Sequence, residues 1–149
     1  MRNMVTDGVV LSRVVADAER SLAFYRDGLG MAGAKLMFGL VCIELPGLTL
    51  FLAEPADFAR NTGLEPGAGL EPGTGPGHAG GAGVLSCAIG STAEVDQLLA
   101  AARSAGGTAV EPQIIDHASG RKQYVGTITD PDGYLWQLVC NIQRTGEGA

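Results

Sequence analysis

The chain has 149 residues, of which 46% are hydrophobic and 17% charged, with a formal charge of −6. That length suits one domain, or two small halves sharing a core, and the apolar fraction excludes a disordered chain. The acidic balance argues against nucleic acid or an anionic membrane as partner and leaves a neutral or cationic small molecule as the better fit.

The opening MRNMVTDGVVLSR lacks the apolar segment of a secretory leader, and no 18-residue apolar run follows, so the expected location is cytoplasmic, away from membranes. GVVLSRVVA (residues 8–16) reads as a strand, and Asp17 as the N-cap of a helix over AERSLAFYRDGLG. Leu22, Tyr25 and Leu29 share one face of that helix. Three strands follow, GAKLMFG, LVCIEL and LTLFLAE, the last two joined by a Pro46-Gly47 turn. Residues 63–83, GLEPGAGLEPGTGPGHAGGAG, are too rich in glycine and proline to pack and read as a linker carrying His78.

Beyond it the pattern recurs. Val10-Leu11-Ser12 returns as Val84-Leu85-Ser86 in the strand GVLSCAIG. Ser91 and Glu94 have capping-box spacing, and Val95, Leu98, Leu99 and Ala102 form a helical stripe that Gly106-Gly107 stops. The strands GTAVEPQII, QYVGTIT and YLWQLVCN close the half, with the turn DPDG before the last: Asp130 and Pro131 suit its first two positions and Gly133 its fourth. Each half is therefore strand–helix–strand–strand–strand, an internal repeat that implies an α+β fold. The boundaries are 1–62, 63–83 and 84–149, the halves making one structural domain together. Neither half shows a second helix to cover the free face of its sheet. Cys42, Cys87 and Cys140 each lie in a predicted strand with no CxxC spacing, so they read as reduced, buried thiols.

The motifs DAERSLAFYRDGLGM (residues 17–31) and DPDGYLWQLV (residues 130–139), with the helix TAEVDQLLAAARSAGG between them, resemble the vicinal-oxygen-chelate superfamily of glyoxalases, bleomycin-resistance proteins and extradiol dioxygenases. The resemblance covers the chain apart from the linker. It implies two βαβββ modules forming a half-open mixed-sheet barrel, with helices on the outer face. In the metal enzymes of that superfamily, ligands come from the first and fourth strands of both modules. Carried over, those positions fall on Val10, Phe51, Val84 and Gln137, three apolar side chains and one neutral amide. A divalent cation needs charged or strongly donating ligands, so no metal and no other cofactor is expected. A relocated site built from His117, Asp116, Glu44 or Glu54 stays open.

Alternation along the strands then gives the inward set: Val10, Ser12 and Val14; Thr49, Phe51 and Ala53; Val84, Ser86 and Ala88; Leu135, Gln137 and Val139. Arg121, Lys122 and Tyr124 are placed at the mouth. Tyr134, Trp136, Leu138 and Cys140 fall on the helix side. The inward set describes an apolar pocket with a few polar groups; the alternative is a filled cavity in which Gln137 bonds Ser12 or Ser86. No GxSxG elbow, Cys–His signature or phosphate-cradling loop is present. The expected function is binding of a small, mainly apolar or aromatic molecule, of the sequestration or resistance type, by a homodimer. The alternatives are a metal-dependent lyase or dioxygenase with a rearranged site, and a module used mainly for dimerisation. Module pairing within one chain or swapped across a dimer is equally allowed by the linker.

Overall fold

The computed structural model describes residues 4–65 and 83–144. Most of the predicted linker, with His78, lies outside the described residues. The chain divides into two compact units, Met1–Pro72 and Gly73–Ala149, and each carries one four-stranded mixed sheet.

In the first unit β1 (Val10–Val14) leads into α1 (Ala18–Leu22). Asp17 caps α1 as expected, its carboxylate accepting from the Arg20 amide at 3.1 Å. A second carboxylate reaches the same helix end: Glu54 Oε2 accepts from the Ala18 amide at 2.8 Å, where the helix dipole favours negative charge. The helix then widens into a π-helical turn over Ala23–Gly28, with the Leu29 amide bonding the Phe24 carbonyl at 2.9 Å. The wider turn rotates Phe24 into the core beside Tyr25, their rings edge to face at 5.0 Å. Leu22 and Leu29 are left half-buried, so the buried stripe differs from the one a regular helix would give.

Strands β2 (Lys35–Met37), β3 (Leu40–Leu45) and β4 (Leu48–Ala53) complete the sheet in the order β1-β4-β3-β2, with β1 parallel to β4. Phe38 and Gly39 make the two-residue connection between β2 and β3, both at positive φ (55° and 77°), the type I′ geometry that matches strand twist. Pro46-Gly47 forms the other tight turn, with Gly47 at φ 78°.

One element departs from the sequence reading. Pro55–Thr62 is a second helix, α2, with Pro55 in its first turn and Gly63 closing it at φ 74°. It packs on β1 and β4, and Phe58 is buried among Val14, Leu40 and Ala53, with Phe51 against them. The expectation that no helix covers the free face of the sheet therefore fails in this unit.

The second unit runs β5 (Val84–Ala88), α3 (Thr92–Ser104), β6 (Thr108–Asp116), β7 (Arg121–Thr129) and β8 (Leu135–Arg144), with the sheet order β5-β8-β7-β6. Ser91 caps α3 through the Glu94 amide at 3.1 Å. The Gly107 amide bonds the Ala102 carbonyl with Gly106 at φ 101°, a Schellman stop. Val95, Leu99 and Ala102 are buried. Helix and sheet meet at Gly126, where an added Cβ would lie 2.8 Å from Leu99 Cδ2 and 3.0 Å from Val95 Cγ1. Tyr134, Trp136, Leu138 and Cys140 are buried. Pro112 sits in a bulge of the edge strand β6, where its missing N–H costs no ladder bond. The DPDG turn closes through the Gly133 amide to the Asp130 carbonyl at 3.0 Å. The buried Asp130 carboxylate accepts from the amides of Asp132 and Tyr134. No described helix is long and apolar enough to cross a membrane.

Candidate functional site

Strand register brings the inward residues into lateral rows. In the first unit Val10 is level with Thr49, Ser12 with Phe51 and Val14 with Ala53. In the second, Val84 is level with Leu135, Ser86 with Gln137 and Ala88 with Val139. The repeat thus places a serine beside each fourth-strand position, Ser12 by Phe51 and Ser86 by Gln137. Val10 and Val84 lie one row away, about half exposed.

Each face carries a cavity. The first, about 230 Å³, lies between the sheet and α2 and is lined by Val10, Ser12, Leu40, Phe51, Ala53, Phe58, Asn61 and Thr62. Val14 is sealed beneath Phe58 and does not line it. The second, about 350 Å³, is lined by Ser86, Ala88, Ile115, His117, Gln123, Val125, Gln137, Val139 and Asn141, with Cys87 at its edge. Thr49, Val84, Leu135, Arg121 and Tyr124 line neither. Sequence reasoning missed α2 and its Phe58, Asn61 and Thr62, and on the second face Ile115, Gln123, Val125 and Asn141. Strand alternation from Gln137 could have found Asn141; Ile115, Gln123 and Val125 lie on β6 and β7 and join the face only through strand pairing.

The second face is a row of neutral hydrogen-bonding groups. Gln137 Nε2 donates to Thr127 Oγ1 at 3.5 Å, across the antiparallel β7–β8 pair. Ser86 of β5 and Thr127 of β7 lie level with Gln137 on either side of β8, and the bond goes to Thr127. Gln123 Nε2 donates to Asn141 Oδ1 at 3.0 Å. His117 begins the β6–β7 loop, where its Nδ1 accepts from the Ser119 amide at 3.1 Å. No Asp, Glu, Lys or Arg lines either cavity.

Tyr124, which the sequence placed at the mouth, lies on the other face: its hydroxyl donates to Asp96 of α3 at 2.6 Å. That bond, burial and the Asp96 charge hold its pKa above the usual tyrosine value. Arg121 opens β7 on an exposed strand end.

A divalent metal does not fit these residues. Hydroxyl, phenyl and neutral amide at the Ser12–Phe51 and Ser86–Gln137 rows supply no charge to offset dehydration of the ion. Among the described residues no group of three or more His, Cys, Asp and Glu comes together to hold one. The relocated candidates are not gathered into one group, His117 being held on Ser119. Glu54 caps α1, Asp116 pairs with Lys122 at 3.4 Å, and Glu44 is exposed near the β3–β4 turn. The three cysteines are free thiols, and burial pushes the Cys87 thiol up, away from the thiolate a metal or electrophile would need.

The structure is similar to several solved ones. A glyoxalase/bleomycin resistance protein from Albidiferax ferrireducens T118 is 25% identical with a TM-score of 0.65, over 91% of this chain and all of that one. A hypothetical protein from S. aureus is 24% identical with a TM-score of 0.68, covering 93% of this chain and 95% of that one. A lactoylglutathione lyase from Agrobacterium tumefaciens is 20% identical with a TM-score of 0.61, covering 92% and 95%. Among curated proteins no match is found. The family model of the Glyoxalase/Bleomycin resistance protein/Dioxygenase superfamily matches residues 9–138, and with the two βαβββ units this establishes that the chain belongs to that superfamily.

Proposed function

We propose that the chain binds a small, neutral, mainly apolar or aromatic molecule on these sheet faces without a metal, as a sequestration or resistance protein and as a homodimer. The observation that carries this reading is the setting of Gln137. It stands level with Ser86 and Thr127 in a cavity lined by neutral groups, a surface that recognises by hydrogen bonding and shape rather than by charge. No carboxylate lines either of these two cavities, which favours a neutral ligand there over the cationic one that net charge alone would allow.

The test is metal content of protein purified without a polyhistidine tag, followed by thermal shift with Ni²⁺, Zn²⁺ and Fe²⁺ and then with neutral aromatic compounds and peptide antibiotics. The expected result is substoichiometric metal, no stabilisation by the ions, and stabilisation by at least one neutral compound, since a ligand at a hundred times its Kd adds about 2.7 kcal/mol. Stoichiometric metal, or a rise of several degrees with an ion, overturns the reading in favour of a lyase or dioxygenase with a rearranged site. Gln137→Glu is expected to gain no metal binding, because Val84 and Ser86 beside it contribute no further ligand.

A further inference from the structure

We propose that the cavity beneath α2 is a binding site for a neutral single-ring aromatic molecule bearing one hydroxyl group, a phenol or benzyl alcohol. This rests on the neutral-ligand reading and assigns it a place and a size. The volume, about 230 Å³, exceeds the roughly 150 Å³ apolar cavity that suffices for benzene. It therefore has room for one substituted ring. Phe51 and Phe58 supply aromatic walls, suited to offset or edge-to-face contact with a ring, and Val10 and Leu40 close the sides.

The polar groups are few and unequal in what they have left to offer. Thr62 Oγ1 donates to the Phe58 carbonyl at 2.8 Å and accepts from the Leu64 amide at 3.1 Å, so its hydroxyl is used in both directions by the end of α2. Asn61 Nδ2 donates to the Asp57 carbonyl at 2.8 Å, which leaves its side-chain oxygen as an acceptor. Ser12 contributes the one hydroxyl from the sheet. One acceptor and one hydroxyl match a ligand O–H, which donates once and accepts once. The lining holds no cation for a carboxylate and no anion for an amine, so benzoate and benzylamine would enter only by losing their hydration without an opposite charge to offset it. Among the described residues the second unit has no helix on the corresponding face, so this selectivity belongs to the first unit.

The experiment follows backbone amide shifts of the full chain by ¹H–¹⁵N NMR during titration with p-cresol, toluene and benzoate. The proposal expects p-cresol to shift the amides of Ser12, Phe51, Phe58 and Asn61 saturably, toluene to shift the same set more weakly, and benzoate to shift none. Ala53→Leu, which fills the cavity, should abolish these shifts. Ser12→Ala, a milder change at a half-buried site, should weaken p-cresol about three- to tenfold and leave toluene unchanged. Benzoate binding as tightly as p-cresol, or p-cresol shifts that survive Ala53→Leu, overturns the assignment. Shifts confined to the Ser86–Gln137 face would sink this site while leaving the neutral-ligand reading intact. No shift with any neutral aromatic, in this titration or in the thermal screen, would sink both.

Discussion

The two units share one chain order and differ in what covers the sheet. The first has short strands, three residues in β2 and six each in β3 and β4, tight hairpins and an added helix on the free face. The second has strands of nine, nine and ten residues, a bulged edge and a free face of neutral polar rows. The repeat therefore dictates topology and which residues lie level. Chemical character comes from the segment beyond the fourth strand, and from a handful of inward residues, Phe51 against Gln137 foremost. Two copies of one module can carry different pockets because an inward strand position can change from Phe51 to Gln137, and a helix can be added after the fourth strand, without changing the strand order.

The contrast breaks most directly at Phe58. It anchors α2 with 3% of its surface exposed, so Phe58→Ala should cost about 3 kcal/mol, the low end of such truncations because the cavity opens at one side. Chemical denaturation reads this as a lower midpoint. A loss under about 1 kcal/mol would mean that α2 is not held by its aromatic anchor and that the covered face is not a stable difference between the units.

On the opposite face of the second sheet, close approach does what a covering helix does in the first unit. Gly126→Ala would press a methyl group onto Leu99 and Val95 at 2.8–3.0 Å. The expected cost is about 2 kcal/mol, measured as the same midpoint shift. An unchanged midpoint would show that α3 can lift from β7 without penalty.

These two residues also mark what the sequence makes legible. The caps at Asp17 and Ser91, the DPDG turn and the burial of Trp136 are local chemistry and strict alternation, so the residues themselves announce them. α2 is not announced, because eight residues with one large apolar side chain give no periodic stripe. Its signals were Pro55 at the start and Gly63 at the end, and both also fit a loop. Tyr124 is a different kind of miss. Counting back from Thr127, level with Gln137, already puts it on the helix side, once β7 is known to pair with β8. The partner of Gln137 was unreadable for the same reason: which strand lies beside β8 is a property of the sheet, and the sequence does not state it.

The units also tie helix to sheet differently. In the first, the Glu54 carboxylate at the end of β4 accepts from the first turn of α1. Glu54→Gln retains an acceptor and removes the charge from the helix N-terminus, and should cost about 0.5 kcal/mol. Raised salt should shrink the difference. A salt-independent loss would assign Glu54 a packing role and no electrostatic one.

In the second unit one such tie is the Tyr124 hydroxyl on Asp96 of α3, and its pH dependence has a definite sign. The hydrogen bond to Asp96, then burial, then the negative charge of Asp96 all favour the protonated phenol, so the folded pKa lies above the unfolded value of about 10. A group whose pKa is raised on folding stabilises fully below its unfolded pKa, and that contribution fades as pH climbs through the folded one. Tyr124→Phe should therefore melt slightly below the parent near neutral pH. The gap should hold to about pH 9 and narrow above about pH 10 as the parent loses its own proton. Glu54→Gln, titrated over the same alkaline range, should show a constant gap, since no carboxylate changes charge there. A Tyr124→Phe gap that stayed constant into strong alkali would mean the phenol contributes packing alone, and the second unit would then hold its helix by the Gly126 contact and by Arg103, which reaches the Ala109 carbonyl and Glu111 of β6.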